Sequence, residues 1–235
     1  MKNSFRAIIA TTLTSAALVA ATALPASALT VSASTIDGEP VTLTAIQKAG
    51  AEATGKRIDA LTTALTRVER NESLTEADRT TITATLQADL DAMHTLASQI
   101  AADTTRVDAL THYHQIFTDY RVYAVALPQA LYAAGADRLT GTALPRLQKA
   151  YDALVAKIGD SPTDEQQRLL DAMAADIADA TSGADGLAAA SLAVTPADWN
   201  ADHDVMRDIR TRLHDAIRSA RDAASAGRDL AETLR

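Results

Sequence analysis

The chain has 235 residues, no cysteine, and 30 acidic residues against 22 basic ones, for a net charge of −8. That length suits one large domain or two small ones, and with no thiol to form a disulfide the core must come from size alone. The acidic balance argues against nucleic acid and anionic lipid as partners, because both select basic surfaces.

Residues 1–28 read as a secretory signal peptide. Lys2 and Arg6 form the basic start, Ala7 to Leu24 the apolar middle, and Pro25-Ala-Ser-Ala28 the small-residue exit. Cleavage is expected after Ala28, with Ala23 and Ala33 as alternatives, and the Thr and Ser content of the apolar run disfavours an uncleaved anchor. Removing these 28 residues, two basic and none acidic, leaves 207 residues and a net charge of −10. No later stretch approaches the roughly 20 apolar residues of a membrane span, so none is expected in the mature chain. The expected location is outside the cell or on the extracellular face of its envelope.

From 29 to 42 the chain is Ser/Thr-rich without a period and reads as a flexible arm. A helical bundle domain is expected over 43–235. Its first helix, about 43–71, repeats at three and four through Ile58, Leu61, Leu65 and Val68, with Gly50 and Gly55 weakening the front half. Thr75-Glu-Ala-Asp78 is a helix start, a hydroxyl cap followed by an acid three residues on. The second helix carries Ile82, Leu86, Leu90, Met93, Ala97 and Ile100. A short turn at Asp103-Thr-Thr105 then places the next helix antiparallel.

Thr111 to Leu139 holds Tyr113, Phe117, Tyr120, Tyr123 and Tyr132, five of the seven aromatics outside the leader. At 100° per residue, Leu110, Tyr113, Phe117, Tyr120, Ala124, Leu127 and Leu131 fall in one stripe, the pattern of a core helix. Pro128 cannot donate to Ala124, so a kink is expected there, with a hinge over 128–141. Arg121, two turns earlier, pairs either with a carboxylate of another helix or with a ligand beside the kink. The ligand reading names Tyr120, Arg121, Tyr123 and Pro128 as its residues.

Gly135 to Gly141 marks a break, after which Pro145 enters the first turn of a helix bearing Leu147, Tyr151, Leu154 and Ile158. Gly159-Asp-Ser-Pro162 closes it, with Ser161 predicted to cap the next helix (Leu169, Leu170, Met173, Ile177). That helix is expected to dissolve at Thr181 to Gly186. Thr195-Pro-Ala-Asp198 caps a last helix through Met206, Ile209, Leu213 and Ile217. The fold expected is all-α: an elongated antiparallel bundle of about six helices, with two stacked three-helix halves as one arrangement.

Chemistry finds little footing. His112 and His114 are two apart and diverge on a helix, where zinc pairs need a spacing of three or four. No nucleophile elbow, phosphate loop or dinucleotide fingerprint is present. Asp119 faces away from the tyrosine stripe. No catalytic residue, metal site or cofactor is assigned. Trp199, in the first turn after Thr195, either packs on the preceding helix or anchors a partner.

Asp119-Tyr-Arg-Val-Tyr123, followed by Leu127-Pro-Gln129 and Arg146-Leu-Gln-Lys-Ala-Tyr151, resembles a group of exported helical proteins of unknown function from high-GC Gram-positive bacteria. The resemblance covers most of the chain from about Ala45. It implies a mainly helical fold and an envelope or secreted location, and it carries over no functional residue. The first expectation is therefore a non-catalytic structural or interaction module, its partner an unidentified protein or envelope component. The alternatives are an extracellular binding protein for a small apolar or aromatic ligand, and an envelope hydrolase with a composite site.

Overall fold

A computed structural model describes residues 35–36, 39–40 and 42–234. The expected signal peptide and most of the expected arm lie outside the described residues. Thr35–Ile36 (β1) and Glu39–Pro40 (β2) form a two-rung antiparallel ladder with Thr35 opposite Pro40. From residue 42 onward the described chain is helices and the turns between them, so the protein is all-α. No described helix is long and apolar enough to cross a membrane.

Threonine caps start the first three helices. The Thr42 hydroxyl accepts from the Ala45 N–H at 3.1 Å and opens α1 (Leu43–Glu69). Thr75 does the same for Asp78 and α2 (Glu76–Ala102), and Thr105 for Asp108 and α3 (Arg106–Thr118). Each cap satisfies one of the donors a helix start leaves open.

The helix ends follow a different rule. Only Gly159 and Gly186 among the described glycines have positive φ, so the usual glycine closure is scarce. Long side chains from elsewhere in the fold take the last carbonyls instead. Arg79 donates to the carbonyls of Val68, Glu69 and Asn71 at the end of α1. Gln47 donates to those of Ala101 and Asp103 at the end of α2, at 3.2 and 3.1 Å. These ties run from the start of each helix to the end of the other, which fixes α1 and α2 as an antiparallel pair.

The aromatic stretch is not a single kinked rod. α3 stops at Thr118, and Arg121 sits in the left-handed region at φ 47°, ψ 39°. A π-turn follows at Val122–Ala126, then α4 (Leu127–Arg138), a second π-turn at Leu139–Ala143 and α5 (Leu144–Ile158). The break therefore falls at Arg121, and Pro128 is the second residue of α4. The Leu127 N–H reaches back five residues to Val122, which widens the turn ahead of the pyrrolidine ring and relieves its clash. The stripe drawn through Tyr120 to Leu131 is corrected accordingly: Leu131 is 43% and Tyr123 47% exposed, while Tyr113 and Ile116 are buried. Gly135 to Gly141 is likewise no loop, since the helical path runs on through the second π-turn.

Three further boundaries differ from expectation. α6 (Asp164–Ala184) is capped by Thr163 rather than Ser161, through a reciprocal box with Gln166 at 3.2 and 3.0 Å. It does not dissolve at Thr181: it runs to Ala184, where Arg212 donates to the Asp185 carbonyl, and α7 (Leu187–Ala193) follows. The last helix is two helices, α8 (Pro196–Ala201) and α9 (Val205–Glu232). Asp202 is extended between them, and its carboxylate takes the Asp204 N–H at 2.9 Å.

The chain divides into two compact units. The first comprises residues 42–131 with Ser191–Arg207, the second Tyr132–Ala190 with 208–234. In the first, α1, α2 and α3 contact one another around Ile46, Leu61, Ile82, Leu86, Met93, Ile100 and Ile116. Gly50 is a contact residue here: a Cβ on it would lie 2.7 Å from Ile100 Cγ2, so the glycine lets α1 and α2 close. In the second, α5, α6 and α9 bury Leu147, Leu154 and Met173 with a run of alanines including Ala180, Ala216, Ala220 and Ala223.

Candidate functional site

The first unit concentrates its unusual chemistry where α3 gives way to the π-turn. A non-glycine residue in the left-handed region costs about 1–2 kcal/mol, so surrounding contacts must hold Arg121 there. Asn200 of α8 supplies them. Its Oδ1 accepts from Arg121 Nε at 2.7 Å, and its Nδ2 donates to the Thr118 carbonyl at 2.9 Å, closing the end of α3. The Arg121 guanidinium lies 4.3 Å from the centroid of the Trp199 ring, and the His203 ring stacks on Trp199 at 4.0 Å and 28°. Arg121 thus pairs with an amide and an indole, and no carboxylate among the described residues pairs with it. Partial burial lowers the Arg121 pKa.

α8 is fixed by the Thr195–Asp198 capping box predicted from the sequence. Hydrogen bonds from the Thr195 hydroxyl and N–H hold the Asp198 carboxyl below its ordinary pKa. Gln129 of α4 secures the preceding strand of chain: its side-chain amide donates to the carbonyls of Leu192 and Val194, and its own carbonyl accepts from Ser191 Oγ.

A second cluster lies beside the first and was not anticipated. Arg57 of α1 is only 9% exposed, and no carboxylate pairs with it among the described residues. Its guanidinium lies 4.6 Å from the Phe117 ring centroid and 5.0 Å from that of Tyr123, while Nη1 donates to the Ala53 carbonyl at 2.9 Å. Nε is enclosed and has no hydrogen-bond partner among the described residues. Burial lowers the Arg57 pKa, with Tyr123 and Tyr113 acting weakly the other way. Tyr113 meets Phe117 edge-on at 5.2 Å, and the Tyr123 hydroxyl donates to the Lys56 carbonyl at 2.9 Å. A sequence signal for Arg57 existed. Ile46, Gly50, Thr54, Arg57 and Leu61, all buried, step along α1 at four, four, three and four, so a cation occupies the inward stripe itself. The stripe through Ile58 and Leu65 is one residue off centre, since both of those are only half-buried.

The four residues of the ligand reading are therefore split. Arg121 joins Trp199, Tyr123 covers Arg57, and Pro128 sits half-buried in the first turn of α4. Tyr120 is half-buried and makes no hydrogen bond or ring contact with the described residues.

Elsewhere, His112 Nδ1 meets Asp103 Oδ2 at 2.9 Å, which closes the α2–α3 turn, and no group of three metal-ligating side chains occurs among the described residues. Asp89 of α2 makes no hydrogen bond or ion pair with the described residues, and burial lifts its pKa from 3.8 to about 6. In the second unit a shallow cavity of about 640 Å³ is lined by Thr140, Tyr151, Ile177 and Asp185 among others. No family model, no curated protein and no solved structure matches this chain.

Proposed function

We propose that the chain is an exported protein acting as a non-catalytic helical interaction module at or outside the cell envelope. The observation that carries this reading is the Arg121–Trp199–His203 group. Trp and Arg are the side chains on which binding energy concentrates at interfaces. Here they are held in one geometry by Asn200 and by a capped helix, so little ordering entropy remains to be lost on association. The leader-like residues 1–28 and the resemblance of the Asp119–Tyr123 segment to exported helical proteins support the location. The acidic surface suits a neutral or basic partner.

Two measurements test it. Protein recovered from the culture medium of an expressing Gram-positive host should begin at Leu29 by mass; retention in the cytoplasm at full length removes the export half. Purified protein should bind insoluble envelope material saturably, and Trp199→Ala should weaken that binding at least about tenfold with an unchanged melting midpoint. Equal binding by both, or none by either, removes the interaction half.

A further inference from the structure

The unpaired Arg57 points to a ligand, independently of the reading above. A guanidinium presents two donor edges. At one of them Nη1 gives a hydrogen to the Ala53 carbonyl, one turn back along α1. The other edge, Nε–H beside Nη2–H, has no acceptor among the described residues. Nε is both enclosed and unpartnered, whereas Nη2, equally without an acceptor, is not fully enclosed. That free edge is the planar two-donor fork that a carboxylate takes with two parallel hydrogen bonds.

The surroundings narrow the class. The rings of Phe117 and Tyr123 lie against the cation, and buried Tyr113 backs Phe117, so the guanidinium sits among aromatic side chains. The neighbouring cations are engaged, since Lys56 pairs with Glu52 at 2.6 Å and Arg121 is taken by Asn200 and the Trp199 ring. One free positive charge in an aromatic frame suits a single negative charge on a planar group and leaves a dianion half-compensated. Attraction to the two rings offsets only part of the cost of burying a lone cation. Tyr123 is the movable wall. It is 47% exposed, is fastened by its hydroxyl to the Lys56 carbonyl, and belongs to the π-turn that follows the strained Arg121. Binding at this edge requires the Tyr123 ring, 5.0 Å from the guanidinium, to turn outward.

We propose that Arg57, with Phe117 and Tyr123, forms a binding site for a small aromatic or apolar monocarboxylate, which Arg57 grips through its Nε and Nη2 hydrogens.

The probe is benzoate, with benzamide as its neutral counterpart and inorganic phosphate as the alternative anion. Enclosure slows exchange of the Arg57 Nε proton, so its resonance is readable by NMR in the unmodified protein. It should move downfield saturably with benzoate, stay in place with benzamide, and respond to phosphate at least about tenfold more weakly. In thermal melts, benzoate should raise the midpoint of the wild-type chain, and the rise should vanish in Arg57→Met, which removes a buried unpaired charge and is expected to fold. Arg57→Lys should lose most of the response, because an ammonium keeps the charge and lacks the fork. An immobile Nε resonance, equal shifts from benzoate and benzamide, or a benzoate response undiminished in Arg57→Met overturns the site. A tighter response to phosphate overturns the ligand class.

Discussion

The two units solve the same packing problem with different parts. The first fills its interior with large aliphatic side chains and then fastens it with polar ties between residues far apart in sequence, such as Arg121 to Asn200 and Gln129 to Val194. The second brings its helices together over small residues at several points, whereas Gly50 is the one such contact among the described glycines of the first. A Cβ on Gly183 would lie 3.0 Å from Ala216 Cβ, and one on Gly227 3.1 Å from Met173 Sδ. The contrast teaches where each unit is brittle. Bulky cores suffer from lost volume, whereas thin helix contacts suffer from added volume.

Leu61→Ala, at a fully buried site in the first unit, should cost about 2–5 kcal/mol in denaturant unfolding. Gly183→Val is the reciprocal experiment in the second unit. Its Cβ meets Ala216 at 3.0 Å and the Ala216 backbone at 3.5 Å, neither of which can swing aside, so a loss of about 1–3 kcal/mol is expected. Gly55 has nothing within 4 Å of its absent Cβ, so Gly55→Ala should stabilise α1 by about 0.5–1 kcal/mol. If Gly183→Val proves as harmless as Gly55→Ala, the close-contact account of the second unit fails.

Asp89 sharpens the comparison through pH. Its folded pKa of about 6 lies above the ordinary 3.8, so the fold favours the protonated form. That contribution is complete below pH 3.8 and is lost as pH rises through 6. Asp89→Asn should flatten the stability profile between those values and add on the order of 1 kcal/mol at pH 7, allowing for partial solvent access. A melt series of both proteins from pH 4 to 7 reads it. The smallest stability effect is expected at Arg121→Gly, where relief of the left-handed backbone offsets the lost amide and indole contacts. The net change should stay within about 1 kcal/mol while Trp199 emission changes. A loss several times larger would show that the tie to Asn200 outweighs the backbone strain it holds in place.

The sequence was most legible where the physics is local. The Thr75 and Thr195 caps stand where a hydroxyl and an acid three residues apart place them, because both partners of each bond sit in one turn. The inward residues of α2, α6 and α9 follow their three-and-four period for the same reason. Arg121 was illegible because nothing within Tyr120-Arg-Val calls for a left-handed residue. The reason lies at Asn200, 79 positions further on. Arg57 was legible only to a reader who let a charge stand on an apolar stripe. The π-turns were hidden because a wheel drawn at a fixed 100° has no place for an extra residue.

That extra residue has a consequence for lineage. Buried positions step through Ala133, Ala136 and Leu139, leap five to Leu144, then resume at Leu147, Ala150 and Leu154. The leap spans the second π-turn, whose Gly141 has open space around it. Excising Gly141 alone would shorten the leap to four and leave an unbroken α-helix with every inward position still inward. A codon deletion there is thus better tolerated than one in the regular part of α5, where losing a residue turns every later inward position by about 100°.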